Sequence, residues 1–207
     1  ITRMVVELSF VPNQAKVIGK VTHYFTGLQK NIDSIFFDAP NINIKSVKMD
    51  NKDLNFKIYP EGVAVYLNAT WQRDYKLEME YEANPRKGIY FIGWDQYNDS
   101  IENALYPNPA REKMKAQKND WKLRNQIWTQ GQGIDNRHWI PMYDEANDKY
   151  ITETIVTFDS KYKVLSNGTL KSEKKNKNGT STWHYAMTHP HAGYLLMLGI
   201  GEYAVKS

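Results

Sequence analysis

The chain has 207 residues, of which 41% are hydrophobic and 24% are charged, and it contains no cysteine. This length and composition are typical of one large globular domain or two small ones and exclude an intrinsically disordered protein. The absence of cysteine excludes disulfides, thiolate catalysis and cysteine-bound zinc in this chain. The net charge of +4 comes without a stripe of basic and aromatic residues, so we expect no nucleic-acid binding, and no apolar run is long enough for a membrane span.

Alternation of apolar and polar residues dominates the chain and predicts β-strands on both sides of a central polar stretch. That stretch, at about residues 94–125, predicts an irregular insertion, or a short helix that starts at Pro109 and runs toward Lys118. Strands with short turns and almost no helix are typical of an all-β fold, either an antiparallel β-sandwich or a pair of packed sheets. The predicted strands cover residues 4–10, 17–25, 54–58, 63–67, 75–81, 88–93, 126–130, 150–158, 162–166, 181–187 and 193–205.

Turn signals in the C-terminal half predict how its strands connect. Asn167-Gly168 and Asn178-Gly179 are both typical of β-hairpin turns. The lysine-rich run at residues 171–178 predicts a solvated loop. No repeat, heptad or low-complexity tract appears, which is consistent with one domain over residues 1–207.

The five histidines are the first candidates for a metal site. His189 and His191 form the only close pair, but a zinc site needs a third and usually a fourth ligand, and no matched ligand stands nearby. We therefore favour a turn before the last strand over a metal site, and we place His23 and His184 on strand faces. No serine elbow, P-loop or dinucleotide-binding motif occurs, so the sequence offers no catalytic residue.

The stretch WTQGQGIDNRHWIPMYDEANDK, at residues 128–149, differs from the alternating strands around it. Gln130 and Gln132 are two residues apart, so an extended segment would project both amides from one face, where they suit a polar ligand. Spacing alone favours the other reading, a solvated strand face without a ligand. Asp144 and Arg137 predict an ion pair, and we favour this structural role over a catalytic one.

The same stretch resembles the signature of the aminopeptidase N family of zinc metallopeptidases, which reads T-Q-x-[QE]-A-x-x-x-R-x-x-F-P-C-F-D-E-P in the N-terminal domain. The spacing from Gln130 through Gln132 and Arg137 to Asp144 agrees with it. Residues 88–91, 162–168 and 193–203 are similar to other parts of that domain. Three departures from the signature matter: Met142 for Cys, Ala146 for Pro and Gly133 for Ala. The first two are packing changes, and Gly133 bears on how the glutamine segment packs on the catalytic domain and on substrate preference.

The resemblance implies a β-sandwich or saddle of mostly antiparallel sheets that precedes a thermolysin-like catalytic domain, expected after residue 207. Zinc would belong to that domain, so this chain would hold no metal and would be inactive alone. Gln130 would line the pocket for the first side chain of a peptide substrate, and Gln132 would contact its free α-amino group. The expected partners are the catalytic domain of the same polypeptide and peptides with a free N-terminus. The alternative is a free-standing β-sandwich that binds or adheres without catalysis.

The sequence leaves the compartment undecided. The chain starts at Ile1 without a methionine, which fits export followed by removal of a signal peptide, and a cytoplasmic location fits as well.

Overall fold

A computed structural model of the chain describes residues 1–94 and 125–204. The insertion predicted at about residues 94–125, with its alternative of a short helix from Pro109, lies outside the described residues except for its two end positions. The described residues contain three short 3-10 turns, at Pro12–Gln14, Asn136–His138 and Gly193–Leu195, and no helix in them is long and apolar enough to cross a membrane. Their strands are β1 (Arg3–Val11), β2 (Lys16–Thr26), β3 (Ile32–Asp38), β4 (Ile42–Met49), β5 (Lys52–Asp53), β6 (Phe56–Tyr59), β7 (Gly62–Ala69), β8 (Asp74–Ala83), β9 (Ile89–Ile92), β10 (Gln126–Thr129), β11 (Lys149–Asp159), β12 (Lys163–Ser166), β13 (Thr169–Lys175), β14 (Thr180–Ala192) and β15 (Leu198–Gly201).

The strands form three sheets. Eight of them make a large sheet in the order β13-β14-β11-β1-β2-β8-β4-β5. Four make a second sheet in the order β12-β15-β10-β9, and three make a third in the order β3-β7-β6. Strands β1 and β11 run parallel, and the other pairs among the described strands are antiparallel. The prediction of an all-β, mostly antiparallel fold is confirmed.

Period-two alternation directs the apolar side chains of the long strands into one core. In β8, every second residue from Tyr75 to Ala83 is buried, and the charged residues between them reach solvent. The same hydrophobic cluster takes Val63 and Val65 from the third sheet and Ile127 from the second. The three sheets therefore share a single core, whose burial from water is the main favourable contribution to folding.

The loop predicted for the lysine-rich run at residues 171–178 is wrong over its first part. Residues 171–175 belong to β13, which lies at the edge of the large sheet. All seven residues of β13 are exposed. An edge strand with solvent on both faces needs no apolar alternation, and its lysines oppose pairing with another chain. The strand therefore lacks the pattern from which the others can be predicted.

The turn predicted at His189 and His191 is also wrong, since both residues lie within β14. The pairing of β14 with β11 shifts between the pair of Tyr150 with His191 and the pair of Thr152 with Met187. Such an irregularity leaves residues out of the ladder and so accommodates a proline, which has no N–H to donate. The strand continues through the proline for this reason.

Of the two predicted hairpin turns, one is confirmed. Asn178-Gly179 connects β13 to its antiparallel neighbour β14. Asn167-Gly168 does not form a hairpin, because β12 pairs with β15 in the second sheet and β13 pairs with β14 in the large sheet. The strand predicted at residues 193–205 is limited to β15, because a 3-10 turn at Gly193–Leu195 precedes it.

His23 of β2 joins the large sheet to the irregular segment that follows β10. Its ring is fully buried and stacks on Phe37, with ring centroids 4.7 Å apart. Its Nε2 lies 2.9 Å from the backbone oxygen of Pro141, which can only accept, so Nε2 carries the proton of the neutral ring. Nδ1 is buried and has no hydrogen-bond partner among the described residues. Burial of the ring lowers the pKa of His23 from 6.5 to about 4.

We expect His23 to lower the free energy of unfolding as the pH drops from 6.5 to 4, because the unfolded chain then binds a proton that folded His23 excludes; the raised pKa of Asp144 acts in the opposite direction over part of this range. This stabilising contribution is complete above pH 6.5, and its loss amounts to about 3 kcal/mol at most, at about 1.4 kcal/mol per pKa unit. His23→Gln keeps an amide donor for Pro141 and does not titrate, so the free energy of unfolding of the wild type minus that of the variant should fall as the pH drops. Urea denaturation of the purified proteins between pH 4 and pH 7 measures the difference, and parallel profiles would contradict the prediction.

Candidate functional site

The two glutamines lie side by side on a turn that begins where β10 ends. The strand stops at Thr129, and the backbone N–H of Gln130 donates to the oxygen of Gly88 at 2.9 Å, which extends the ladder by one residue. Gln132 already belongs to the turn, so the extended segment predicted for both glutamines is shorter than expected. Both side chains are exposed, and Gln130 Nε2 donates to Gln132 Oε1 over a long 3.4 Å. The turn, and not strand alternation, brings the two amides together.

The two glycines of the turn, Gly131 and Gly133, are required for different structural reasons. Gly131 is buried, and a Cβ there would lie 2.3 Å from Asn136 Nδ2, too close for any side chain. Gly133 has a φ of +85° with open space around the Cβ position. Alanine would be strained at that φ, since the left-handed region favours glycine. Gly133, which replaces the alanine of the family signature, therefore fits the left-handed backbone conformation of this turn.

Asn136, which sequence analysis did not identify, lies buried beneath the turn and is 0% exposed. Its Nδ2 donates to the backbone oxygens of Gly193 at 2.9 Å and Leu196 at 3.1 Å. Its Oδ1 accepts from Trp139 Nε1 at 2.9 Å. The family signature leaves this position open, and a single asparagine in a polar stretch carries no signal of burial. Only the tertiary structure reveals its role.

Arg137 lies behind the turn between two carboxylates. Its Nη1 donates to Asp38 Oδ1 at 3.0 Å, and its Nη2 donates to the backbone oxygen of Asp144 at 2.9 Å. Its Nε is 3.6 Å from Asp144 Oδ2, which is an ion-pair distance and not a hydrogen bond. Its backbone N–H donates to the same carboxylate oxygen at 3.2 Å. The structure thus brings Arg137 and Asp144 together and adds Asp38 as a third member.

Asp38, at the end of β3, ties this cluster to the third sheet. Its Oδ2 accepts the backbone N–H of Asp144 at 3.1 Å, and its backbone exchanges two hydrogen bonds with Met142. Asp38 precedes Arg137 by 99 residues, so no local pattern could indicate it. Burial raises the pKa of Asp144 to about 6, and the N–H and guanidinium of Arg137 oppose this rise without cancelling it.

The described part of the chain offers ligand contacts at the turn but no metal centre. The exposed amides of Gln130 and Gln132 provide neutral oxygen acceptors and N–H donors. Within residues 1–94 and 125–204, no three His, Asp or Glu side chains are grouped so that they could hold a metal ion. His191 is buried with its Nε2 2.8 Å from Thr152 Oγ1, and His189 is exposed. A zinc ion therefore does not fit the described residues, and we assign no catalytic step to them.

Comparison with known proteins finds a family and a curated relative that agree with each other. The model of the peptidase M1 N-terminal domain family matches residues 3–195. The curated "Probable aminopeptidase 1" of Saccharolobus solfataricus is 22% identical over 196 residues, which cover 95% of this chain and 21% of that protein. The chain therefore spans about a fifth of the length of that relative.

Solved structures share the fold. One is a mutant of the M1 zinc metallopeptidase of Deinococcus radiodurans bound to a Tyr-Ser-Ala substrate. It has a TM-score of 0.74 and 15% identity, and the match covers 97% of this chain and 42% of that chain. Native yeast LTA4 hydrolase has a TM-score of 0.73 and 15% identity, with 99% of this chain and 29% of that chain covered. At such low identity the likeness establishes the fold alone.

Arg137→Ala is expected to lower the free energy of unfolding by roughly 3–5 kcal/mol, because it leaves the buried carboxylate of Asp144 without a partner cation. Lys163→Ala is the matched control, since it removes the exposed pair with Glu173 at 3.5 Å and should cost at most about 1 kcal/mol. Urea denaturation at neutral pH measures both losses. Equal losses in the two variants would show that Arg137 is no stronger an anchor than a surface lysine.

Proposed function

The chain belongs to the peptidase M1 N-terminal domain family, and from this premise we propose that the protein that carries it is a zinc aminopeptidase. In this proposal the chain is the N-terminal β domain, packs against a catalytic domain of the same polypeptide, and contacts the free N-terminus of a peptide substrate. Gln130 lines the pocket for the first side chain of the substrate, and Gln132 contacts its α-amino group. The observation that carries the proposal is the pair of adjacent, exposed amides on a turn whose base is buried.

The chemistry of the two amides suits a substrate ammonium group. An ammonium group donates three hydrogen bonds and needs fixed oxygen acceptors, which amide side chains provide. A neutral amide oxygen costs less to remove from water than a carboxylate does when the substrate closes the site. The amide therefore selects for an N–H donor through geometry, at the expense of the stronger attraction that a charged acceptor would give.

The support beneath the turn favours a binding role over a solvated strand face. Asn136 and Arg137, directly after the turn, are held by buried or half-buried hydrogen bonds, so the exposed amides stand on a fixed base. A backbone that is already fixed loses little further freedom when a ligand binds, so only the rotamer freedom of the two glutamine side chains is lost on binding.

Exposed apolar side chains in the same segment support the proposed contact with a catalytic domain. Trp128 is 39% exposed, Ile134 is 50% exposed and Tyr143 is 40% exposed. Single exposed apolar residues are ordinary on protein surfaces, and contiguous apolar patches mark contact surfaces. In this proposal these three side chains belong to the surface that the catalytic domain covers.

The residues of this chain would bind and orient the substrate, and the hydrolytic step would belong to the catalytic domain, where the resemblance places zinc. The D. radiodurans relative was solved with a Tyr-Ser-Ala substrate, which supports a peptide as the substrate class. The loss of an orienting contact should therefore reduce the rate and leave the hydrolytic chemistry in place.

Gln132→Ala in the full-length protein should lower kcat/KM for peptides with a free N-terminus by about tenfold to a hundredfold, because one or two hydrogen bonds to the ammonium group are lost. Steady-state kinetics on a short unblocked peptide measures the change. The matched control is Gln29→Ala, at an exposed glutamine between β2 and β3.

Unchanged kinetics in Gln132→Ala would refute the role of this glutamine. Equal losses in Gln29→Ala would show a general effect of glutamine removal. The enzyme assignment has a separate test, since the parent reading frame should encode an H-E-x-x-H motif after Ser207. Its absence would favour the free-standing binding module.

A further inference from the structure

The buried side chain of Asn136 contacts no proposed substrate atom, yet it lies directly beneath the glutamine turn. We infer that Asn136 is a positioning residue, whose amide sets where Gln130 and Gln132 stand. This inference rests on the proposed function, because positions of the two glutamines matter only if they contact the substrate. Its evidence is separate, since it comes from the packing beneath the turn.

The first step is the contact between Gly131 and Asn136. The three atoms nearest to a Cβ built on Gly131 all belong to the side chain of Asn136, at 2.3 Å for Nδ2 and 2.6 Å for Cγ and Oδ1. The Asn136 amide therefore occupies the space where a side chain of residue 131 would lie. Since Gly131 is the residue between the two glutamines, the amide beneath it determines where both of their side chains begin.

The second step is that the amide itself has one possible orientation. Its Nδ2 donates to two carbonyl oxygens, those of Gly193 and Leu196, and its Oδ1 accepts the indole N–H of Trp139. A rotation of the amide by half a turn would place Oδ1 against two oxygens and Nδ2 against an N–H. Because all of these groups are buried, such a mismatch costs several unsatisfied hydrogen bonds. The surface on which Gly131 rests is therefore fixed.

A second asparagine, Asn167, binds the same segment as Asn136, residues 193–197, but is not among the atoms nearest to Gly131 in the glutamine turn. Asn167 Nδ2 donates to the oxygen of Leu195 at 3.0 Å, and its Oδ1 accepts the N–H of Met197 at 2.6 Å. Asn136 and Asn167 thus both anchor the 3-10 turn at Gly193–Leu195 and the residues just after it. Only Asn136 is among the atoms nearest to Gly131, so the two asparagines separate anchoring of that segment from positioning of the glutamines.

A displaced turn should reduce catalysis even though every substrate-contacting side chain remains. A shift of about 1 Å in an orienting group can cost on the order of a hundredfold in rate. In the full-length protein, Asn136→Ala should lower kcat/KM for an unblocked peptide by about tenfold or more, and Asn167→Ala by about twofold at most. Rates are measured well below the melting temperature of each variant and normalised to the folded fraction by circular dichroism.

The decisive measurement is Asn136→Ala in a background of Gln130→Ala and Gln132→Ala. A positioning residue acts through the glutamines, so the third substitution should lower kcat/KM no further. A general structural role predicts the full loss again, and that result would overturn the inference. Equal losses in Asn136→Ala and Asn167→Ala would overturn it as well.

Gly131→Ala tests the same contact from the other side, which matters if Asn136→Ala does not fold. The new methyl group must push the turn away from an intact Asn136, so kcat/KM should again fall by about tenfold or more. Where Asn136→Ala does fold, the methyl group has room in that background, so Gly131→Ala should lower the melting temperature less than it does in the wild type. Wild-type kinetics in Gly131→Ala would overturn the inference.

The outcomes for the two glutamines separate this inference from the proposed function. If the Gln130→Ala and Gln132→Ala double variant keeps wild-type kinetics, the proposed substrate contacts are wrong and the positioning role falls with them. If that double variant loses activity and Asn136→Ala does not, the substrate contacts stand and the positioning role alone is wrong.

Discussion

The segment from residue 130 to residue 148 is largely irregular yet partly buried, so its polar groups must find partners outside a strand ladder. Long-range side chains supply them. His23 of the large sheet bonds the oxygen of Pro141, Asp38 of the third sheet bonds Arg137 and the backbone of Asp144, and Asn136 bonds the segment that precedes β15. Contacts from this one segment thus reach all three sheets or their connections. If those bonds failed, buried donors and acceptors would be left unpaired at a cost of about 1–3 kcal/mol each.

The same constraint explains why the glutamine turn can be both exposed and well placed. Gly131 rests on a buried amide, and Gln130 is joined to Gly88 by a backbone hydrogen bond. The side chains themselves bond mainly to each other, over 3.4 Å, so little has to be broken when a ligand arrives. A fixed backbone with available side chains is the arrangement that orienting residues require.

The polar cluster around Arg137 contains two acidic groups in different surroundings. Asp144 is buried and Asp38 is half-buried, and both share one guanidinium. Burial disfavours the charged form of Asp144, which raises its pKa, while Arg137 keeps a cation next to the carboxylate. A carboxylate with a raised pKa is often a sign of catalysis, but burial accounts for the rise here, and the contacts of Asp144 with Arg137 support the predicted structural role.

The sequence by itself determined the fold class and the long strands, because burial of one face of a strand leaves period-two alternation in the sequence, as in β8. It could not determine β13, whose faces are both solvated, or β3, where adjacent Phe36 and Phe37 break the alternation. In the candidate site, the motif indicated Gln130, Gln132, Arg137 and Asp144, since their spacing is local. Only the tertiary structure decided that a turn joins the glutamines and that Asn136 and Asp38 hold the segment. Those partners come from residues 57 to 99 positions away, and hydrogen bonds over such separations leave no periodic trace in the sequence.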